Sequence, residues 1–361
     1  MTFLPIYIYF FVPIVILLAF FPNYKNINRY FSNQFIVFML FFCIYLILFT
    51  RDISSMYDMS TYSYLYENSI NFSYIFEAYH GNIFFTFLMY LGNFIGLDNN
   101  TFFMILPILY LSIFYKGLKL IFSNQKYIIL SFALFSISTT FILLFTNVIR
   151  QGLALSLLIL AIGYILHNKK NKGIFVLFLG VFSHFSIIPI IIFLFFAKYL
   201  QSKEIQLRYL LILPLLPVVG YLLLGYISSF GGLFTKIQAF DVYGYKNNIV
   251  YLKVLILYLF LIIFYLYGKK YQKFNDFRYK YIFNIYLLSL SLVLFSLPVL
   301  LLSSRFLYYT SALMPILISF IYYSKYNLFS IHTRYLVLVS TSIMYGIFIY
   351  NHPSIVNQLG I

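Results

Sequence analysis

Long apolar runs alternate with short polar ones along the chain, and the apolar runs determine the predicted fold. They fall at about 3–21, 33–50, 101–121, 128–145, 149–166, 173–185, 186–199, 208–226, 250–267, 281–302, 305–323 and 334–350. A helix of about 20 apolar residues spans a bilayer, so the pattern predicts an all-α, polytopic integral membrane protein with about twelve crossings. Because no linker and no internal repeat interrupts it, residues 1–361 are predicted to form a single membrane domain.

The longest polar excursion covers about residues 51–100, and a second covers about 227–249. Both are predicted to be outer loops. Within the first, residues 83–97 are apolar, but a crossing there would move Lys116 away from the cytoplasmic side. This piece is therefore predicted to be a re-entrant or interfacial helix.

Composition excludes a soluble domain, because 63% of residues are hydrophobic, 9% are charged and the mean hydropathy is +0.93. The formal net charge is +16, but the basic residues are spread through short loops, so membrane lipid and not nucleic acid is the expected partner. Cys43 is the single cysteine, which excludes an intramolecular disulfide. With no Walker loop, GxGxxG, HExxH or DxD motif, neither a cofactor nor a metal ion is expected.

Basic residues gather in alternate loops, which predicts the orientation of the chain. We interpret residues 173–199 as a hairpin that turns at His184, since one long helix would carry Lys198, Lys203 and Arg208 outside. Only six of the 24 basic residues then face outward, and both termini lie outside. These six are Arg51, Arg150, Lys236, Lys246, Lys253 and Arg305.

The polar segment Thr146–Gly152 lies between two apolar runs and is predicted to start a helix, capped by Thr146 or Asn147. Asn147, Arg150 and Gln151 would share one face of it. An arginine at the positive end of a helix dipole opposes the local electrostatics. Arg150 is therefore interpreted as an anion clamp that binds phosphate or carboxylate; the alternative is an end residue that snorkels to the interface.

Three predicted helix starts carry a cation on the same outer face. They are Asn147–Gln151 with Arg150, Ser183–Ser186 with His184, and Ser303–Ser304 followed by Arg305. Helix N-termini with basic side chains suit a diphosphate, and Arg51 would add a further cation. The alternative is that the arginines only anchor helix ends.

Two acids of the first outer loop, Asp58 and Glu77, are candidate general bases. Asp58, Tyr62 and Tyr66 fall at i, i+4 and i+8, which predicts one helical face with a carboxylate and two aromatic hydroxyls suited to sugar stacking. His184 is either an acid/base group, a hydrogen-bond donor to phosphate, or an ordinary structural histidine.

These residues resemble the EpsG family of bacterial exopolysaccharide proteins, which is grouped with the Wzy O-antigen and capsule polymerases. The matching pieces run in family order: Arg51 with Asp58-x-x-x-Tyr62, Glu77 with the apolar piece after it, Asn147-x-x-Arg150-Gln151-Gly152-Leu153-Ala154, Phe182-Ser183-His184-Phe185-Ser186, and Ser304-Arg305-Phe306-x-Tyr308. Two pieces differ from the family pattern, since Met56-Tyr57 stands where Gly-Thr is usual and Ala78-Tyr79 where Pro-Gly is usual.

The resemblance implies a glycosyltransferase of the bacterial inner or plasma membrane, distantly similar to GT-C enzymes, with its active site on the outer face. Such an enzyme moves a growing polysaccharide from undecaprenyl diphosphate to the non-reducing end of an undecaprenyl diphosphate-linked oligosaccharide. A chain-length regulator is a candidate partner. The implied roles are diphosphate binding by Arg150, Arg305 and Arg51, catalysis by Asp58, His184 or Glu77, and substrate binding by Asn147, Gln151 and Tyr62.

Two other functions remain open. A flippase of the same lipid-linked sugars would place its charges near the midplane of two related halves, whereas here they cluster at one face. A membrane acyltransferase acting on glycans would need a donor site that faces the cytoplasm and a central catalytic histidine.

Overall fold

The structure, a computed structural model, describes residues 35–42, 44–45, 57–77, 83–136, 138–228 and 248–322. All regular secondary structure in these ranges is helical, which confirms the predicted all-α class. Arg51, the runs 3–21 and 334–350 and most of the loop at 227–249 lie outside the described residues.

The described α-helices after residue 56 are labelled in chain order. They are α1 (Tyr57–Asn68), α2 (Tyr74–Glu77), α3 (Ile83–Phe94), α4 (Asn99–Ile121), α5 (Gln125–Ser136), α6 (Thr139–Thr146), α7 (Ile149–Leu166), α8 (Lys170–Ser183), α9 (Ile188–Tyr199), α10 (Leu207–Ile212), α11 (Leu216–Ser228), α12 (Asn248–Lys270), α13 (Phe277–Phe295) and α14 (Leu300–Tyr322). Short 3₁₀ helices cover Phe185–Ile187, Leu200–Ser202, Leu213–Leu215 and Lys273–Asn275.

Five helical segments in the described ranges are long and apolar enough to cross a membrane. They are Asn99–Ile121, Ile149–Leu166, Phe185–Ser202, Val250–Lys270 and Leu300–Tyr322. Together with the composition, they identify a multi-pass membrane protein. Helix α3 has only 12 residues, or about 18 Å at 1.5 Å per residue, too short to span a bilayer. Its re-entrant or interfacial position stays a prediction.

Two predicted boundaries are wrong. The run 128–145 is not one helix, because Ser138 starts a new one: its hydroxyl accepts from the Phe141 N–H at 3.0 Å. The boundary between the runs 281–302 and 305–323 lies earlier in the chain than predicted, since α13 ends at Phe295 and α14 begins at Leu300. Pro298 lies in the turn between them, where its ring prevents the preceding residues from continuing the helix.

The chain divides into two compact units, Met1–Ile187 with Ser324–Ile361 and Ile188–Tyr323. In the first, α4 and α7 run parallel in close contact. A Cβ at Gly117 would lie 2.7 Å from the Leu160 backbone nitrogen, and one at Gly163 would lie 2.6 Å from the Leu120 Cβ. His167 Nε2 contacts the Leu120 carbonyl at 2.7 Å, so the carboxyl ends of both helices lie together.

Helix α8 returns along α7 in the opposite direction. Gly173, near its start, packs against Ala161 and Ile165, whereas Gly180, near its end, packs against Ala154 and Leu157. The end of α8 therefore lies at the amino end of α7.

In the second unit, the segment after α9 lies beside the start of α13. The Gln201 side-chain amide donates to the Phe277 carbonyl at 3.2 Å, and the Lys280 ammonium donates to the Gln201 carbonyl at 2.6 Å. The charge distribution assigned both loops to the same side, and the structure confirms that they lie together. Which side of the membrane they face, and whether the two units form one domain, stay predictions.

Candidate functional site

The polar segment Thr146–Gly152 joins two helices, as predicted, but its capping differs. Helix α6 ends at Thr146 and α7 begins at Ile149. Asn147 is the C-cap of α6, with its N–H bonded to the Leu143 carbonyl at 3.0 Å. Val148 holds the N-cap position of α7 and makes no side-chain cap hydrogen bond. The prediction that Thr146 or Asn147 caps α7 is therefore wrong, and the positive end of α7 lacks a side-chain cap.

Asn147 instead holds the start of α1. Its Oδ1 accepts from the backbone N–H of Asp58 at 3.2 Å, and Asn147 is 9% exposed. This bond joins residues 89 positions apart and satisfies an N–H of the first turn of α1. Asp58, half-buried, lies in that turn, where a carboxylate is favoured by the helix dipole. The structure thus ties the candidate base to the segment that carries Arg150.

Arg150, in the first turn of α7, is held by Tyr62. Its Nε donates to the Tyr62 hydroxyl at 3.2 Å, and the guanidinium carbon lies 5.1 Å from the centre of the Tyr62 ring. A guanidinium fixed through Nε carries four more N–H groups on its terminal nitrogens, a fork that suits two phosphate oxygens. The first-turn position predicted for Arg150 is confirmed.

Tyr62 itself is only 1% exposed. Its ring packs against Phe85 and Phe103, with centroid distances of 5.5 and 6.4 Å. The ring is therefore buried in this arrangement, and its predicted stacking on a sugar stays a prediction. Tyr62 positions Arg150.

Tyr66 and Gln151 are buried as well. Tyr66 stacks on Phe102 at 4.6 Å and donates its hydroxyl to the Leu97 carbonyl at 2.8 Å. Burial, helped by the charge of Asp98, raises the pKa of Tyr66. Gln151 has an exposed fraction of 0%, and its predicted contact with substrate stays a prediction. Tyr66 and Gln151 therefore belong to the protein interior next to the junction of α1 and α7.

His184 lies at the same end of α7 as Arg150, because the end of α8 packs there. It is the C-cap of α8 and directly precedes the helical segment Phe185–Ser202, so the predicted helix start at Ser183–Ser186 is confirmed. Its Nδ1 accepts from the Ser186 N–H at 3.2 Å and contacts the Ser186 hydroxyl at 2.7 Å. With Nδ1 accepting a backbone N–H, the ring is in the tautomer that carries its proton on Nε2.

Arg305 does not follow a helix start. It is the sixth residue of α14, which begins at Leu300. The Ser303 hydroxyl donates to the Val293 carbonyl at 3.2 Å and the Ser304 hydroxyl to the Leu301 carbonyl at 2.8 Å, so neither serine caps the helix. Arg305 is half-buried and belongs to the second unit. The prediction of a third helix start with a cation is wrong.

The structure therefore brings Asp58, Tyr62, Asn147 and Arg150 together through direct contacts, with His184 at the same end of α7. Glu77 is the last residue of α2. Within the described ranges no three His, Cys, Asp or Glu residues group as metal ligands. Sequence reasoning missed the Tyr62–Arg150 contact, because 88 positions separate the two residues and the i+4 spacing from Asp58 favoured a sugar-binding face.

Comparison with known proteins supplies the family. No curated protein and no solved structure matches the chain significantly. The family model of the EpsG family matches residues 53–359, which include α1 with Asp58 and Tyr62 and α7 with Arg150. The match covers most of the chain, and the chain belongs to the EpsG family, a family of polysaccharide polymerase-type membrane proteins.

Proposed function

We propose that this protein is a polysaccharide polymerase that moves a growing glycan from undecaprenyl diphosphate to the non-reducing end of a lipid-linked repeat unit. The contact between Arg150 and Tyr62 carries the proposal. It fixes an arginine fork at the positive end of α7. Two sources of positive potential at one point suit a diphosphate leaving group.

The reaction requires three events at this site. An acceptor hydroxyl attacks the anomeric carbon of the donor sugar, the bond from that carbon to the phosphate oxygen breaks, and the electron pair leaves with undecaprenyl diphosphate. Arg150 stabilises the negative charge that develops on the leaving oxygen. The hydroxyl proton passes to a carboxylate or imidazole. No nucleotide takes part in this chemistry.

Asp58 is the favoured proton acceptor. The Asn147 bond holds its backbone at the junction with α7, and its side chain is half-buried. His184 lies at the same end of α7 as Arg150, and its Nδ1 contacts Ser186. We assign His184 to hydrogen bonding of the sugar or the diphosphate, and Arg51 to the remaining phosphate oxygens.

The proposal places the site at the outer face of a bacterial inner membrane, in a fold of about twelve crossings distantly similar to GT-C enzymes. Cysteine labelling in a Cys43→Ser background tests the orientation. A cysteine at position 147 should react with an impermeant reagent in intact cells. Reaction only after the membrane is permeabilised would reverse the orientation.

Deletion of the gene, followed by gel analysis of the exported glycan, tests the activity. Surface glycan reduced to a single repeat unit supports a polymerase. Loss of all exported glycan would indicate a flippase, and full-length glycan that lacks acyl groups would indicate an acyltransferase; either result overturns the proposal.

A further inference from the structure

The second unit contains a cavity of about 360 Å³, distant in sequence from the α1–α7 junction. Its wall comes from the segment that follows α9, from the end of α12 with the turn after it, and from the first turn of α13. The lining residues include Lys203, Lys269 and Lys280, with Gln272, Asn275 and Ser202 beside them.

The lining carries more positive than negative charge. Three of its residues are lysines and Glu204 is its one acid. The ion pair between Arg278 and Asp276, at 3.6 Å, uses none of these lysines. Because the whole sequence has only 8 acidic residues against 24 basic ones, an outside anion is the natural partner for this excess charge.

A hydrogen bond and a contact between aromatic rings hold parts of the cavity wall in place. The Lys280 ammonium donates to the Gln201 carbonyl at 2.6 Å, which holds its charge at the wall, and an ammonium has three donors in all. Tyr265 and Phe274, with ring centroids 6.0 Å apart, form part of the lining. Tyr265 is only 2% exposed. Part of the cavity wall is therefore aromatic, and the rest carries positively charged, partly exposed side chains.

Gln272 shapes the turn at this part of the wall. It lines the cavity with a backbone φ of 52°, in the left-handed region. A single residue in this conformation is common where a helix ends, and Asn168 adopts it after α7 with a φ of 58°. At Gln272 it turns the chain at the end of α12, between Lys269 and Asn275.

We propose that this cavity binds a phosphate group, either on the headgroup of an anionic lipid or on a soluble molecule. Ammonium groups supply charge, and the side-chain amides of Asn275 and Gln272 supply further hydrogen-bond donors. Two loops assigned to the cytoplasmic side by their charge form the cavity. The site is distinct from the one proposed for glycan transfer and does not depend on it.

Binding to the full-length protein in nanodiscs tests the proposal. One arm adds phosphatidylglycerol to phosphatidylcholine nanodiscs and counts bound lipids by native mass spectrometry. The other adds inorganic pyrophosphate to protein in phosphatidylcholine alone and measures binding by calorimetry. Each of Lys203→Ala and Lys269→Ala should weaken binding about tenfold, the loss of one charge-assisted hydrogen bond.

Matched controls are Lys198→Ala and Lys270→Ala. They remove exposed lysines that do not line the cavity: Lys198 lies on α9, before the segment that carries Lys203, and Lys270 lies next to Lys269 on α12. Loss confined to the lipid arm identifies a headgroup site, and loss in the pyrophosphate arm identifies a soluble ligand. Equal losses in the control variants, or unchanged binding by Lys203→Ala/Lys269→Ala in both arms, overturn the proposal. If Lys269→Ala lowers the melting temperature in phosphatidylcholine, Lys269→Gln is used in its place.

Discussion

The amino end of α7 and the basic cavity of the second unit both present positive charge, but they hold it differently. Arg150 is half-buried, and its guanidinium is fixed through Nε by Tyr62, itself 1% exposed. Lys203 and Lys269 are exposed side chains around an open cavity. The Arg150 site therefore fixes the direction of its hydrogen-bond donors as well as its charge. The lysines of the cavity mainly supply charge.

This difference has a chemical meaning. A group that stabilises charge developing in a transition state has to be in place before the reaction, because reorganisation at that moment raises the barrier. A group that attracts a stable anion can adjust as the anion arrives. Substitutions that keep charge but change geometry should therefore separate the two regions.

The largest effect is expected at the candidate base. Asp58→Asn should lower turnover by about 10²–10⁴-fold, because the amide cannot accept the hydroxyl proton. The backbone N–H that Asn147 accepts is retained, so folding and donor binding should persist. Turnover is measured with purified enzyme and synthetic lipid-linked repeat units across a range of pH.

His184→Ala is the companion variant and should keep residual activity. Near-normal turnover by Asp58→Asn together with an inactive His184→Ala would reverse the roles of the two residues.

Next is the arginine. Arg150→Lys should lower activity by about 10²-fold or more with normal abundance, because lysine keeps the charge but not the planar fork. Glycan ladders from a complemented deletion strain report it. Arg208→Lys is the matched control, since Arg208 also lies over a tyrosine ring, at 5.3 Å from Tyr209, but belongs to the second unit. Full-length ladders from Arg150→Ala would eliminate the anion clamp and support the snorkelling alternative.

An intermediate effect is expected at Tyr62. Tyr62→Phe keeps the buried ring but removes the hydroxyl that accepts from Arg150, so turnover should fall about tenfold. A positioning role predicts a loss in kcat with little change in KM, and a smaller further loss when Arg150→Lys is already present. Tyr66→Phe, which removes the bond to Leu97, should leave kcat unchanged. Equal kcat losses in both variants would mean that Tyr62 is only structural.

The smallest effect is expected in the cavity. Lys269→Arg should change phosphate affinity by about twofold or less, because an exposed charge is retained and no rigid partner selects its geometry. Calorimetry with pyrophosphate, or lipid counting by mass spectrometry, measures this. A tenfold loss would show that the cavity selects geometry as the α7 site does, and the contrast between the two regions would disappear.

The sequence predicted the parts of this protein that depend on local pattern. Apolar runs at 101–121 and 149–166 became α4 and α7 with little change, because a membrane helix satisfies its own backbone and needs only a continuous apolar stretch. The polar segment Thr146–Gly152 also placed Arg150 correctly in the first turn of α7. Interruptions within apolar sequence, at Ser138 and around Pro298, were harder to locate because the apolar pattern continues across them.

Tertiary structure alone decided which residues meet. The pairing of Tyr62 with Arg150, the bond from Asn147 to the start of α1 and the meeting of Lys203, Lys269 and Lys280 around one cavity all join residues far apart in the chain. The sequence predicted which of these side chains lie on helices and which in loops, and how much charge those segments carry. Such contacts depend on how helices pack, which no local pattern specifies. Gly117 and Gly163, for example, permit the close approach of α4 and α7.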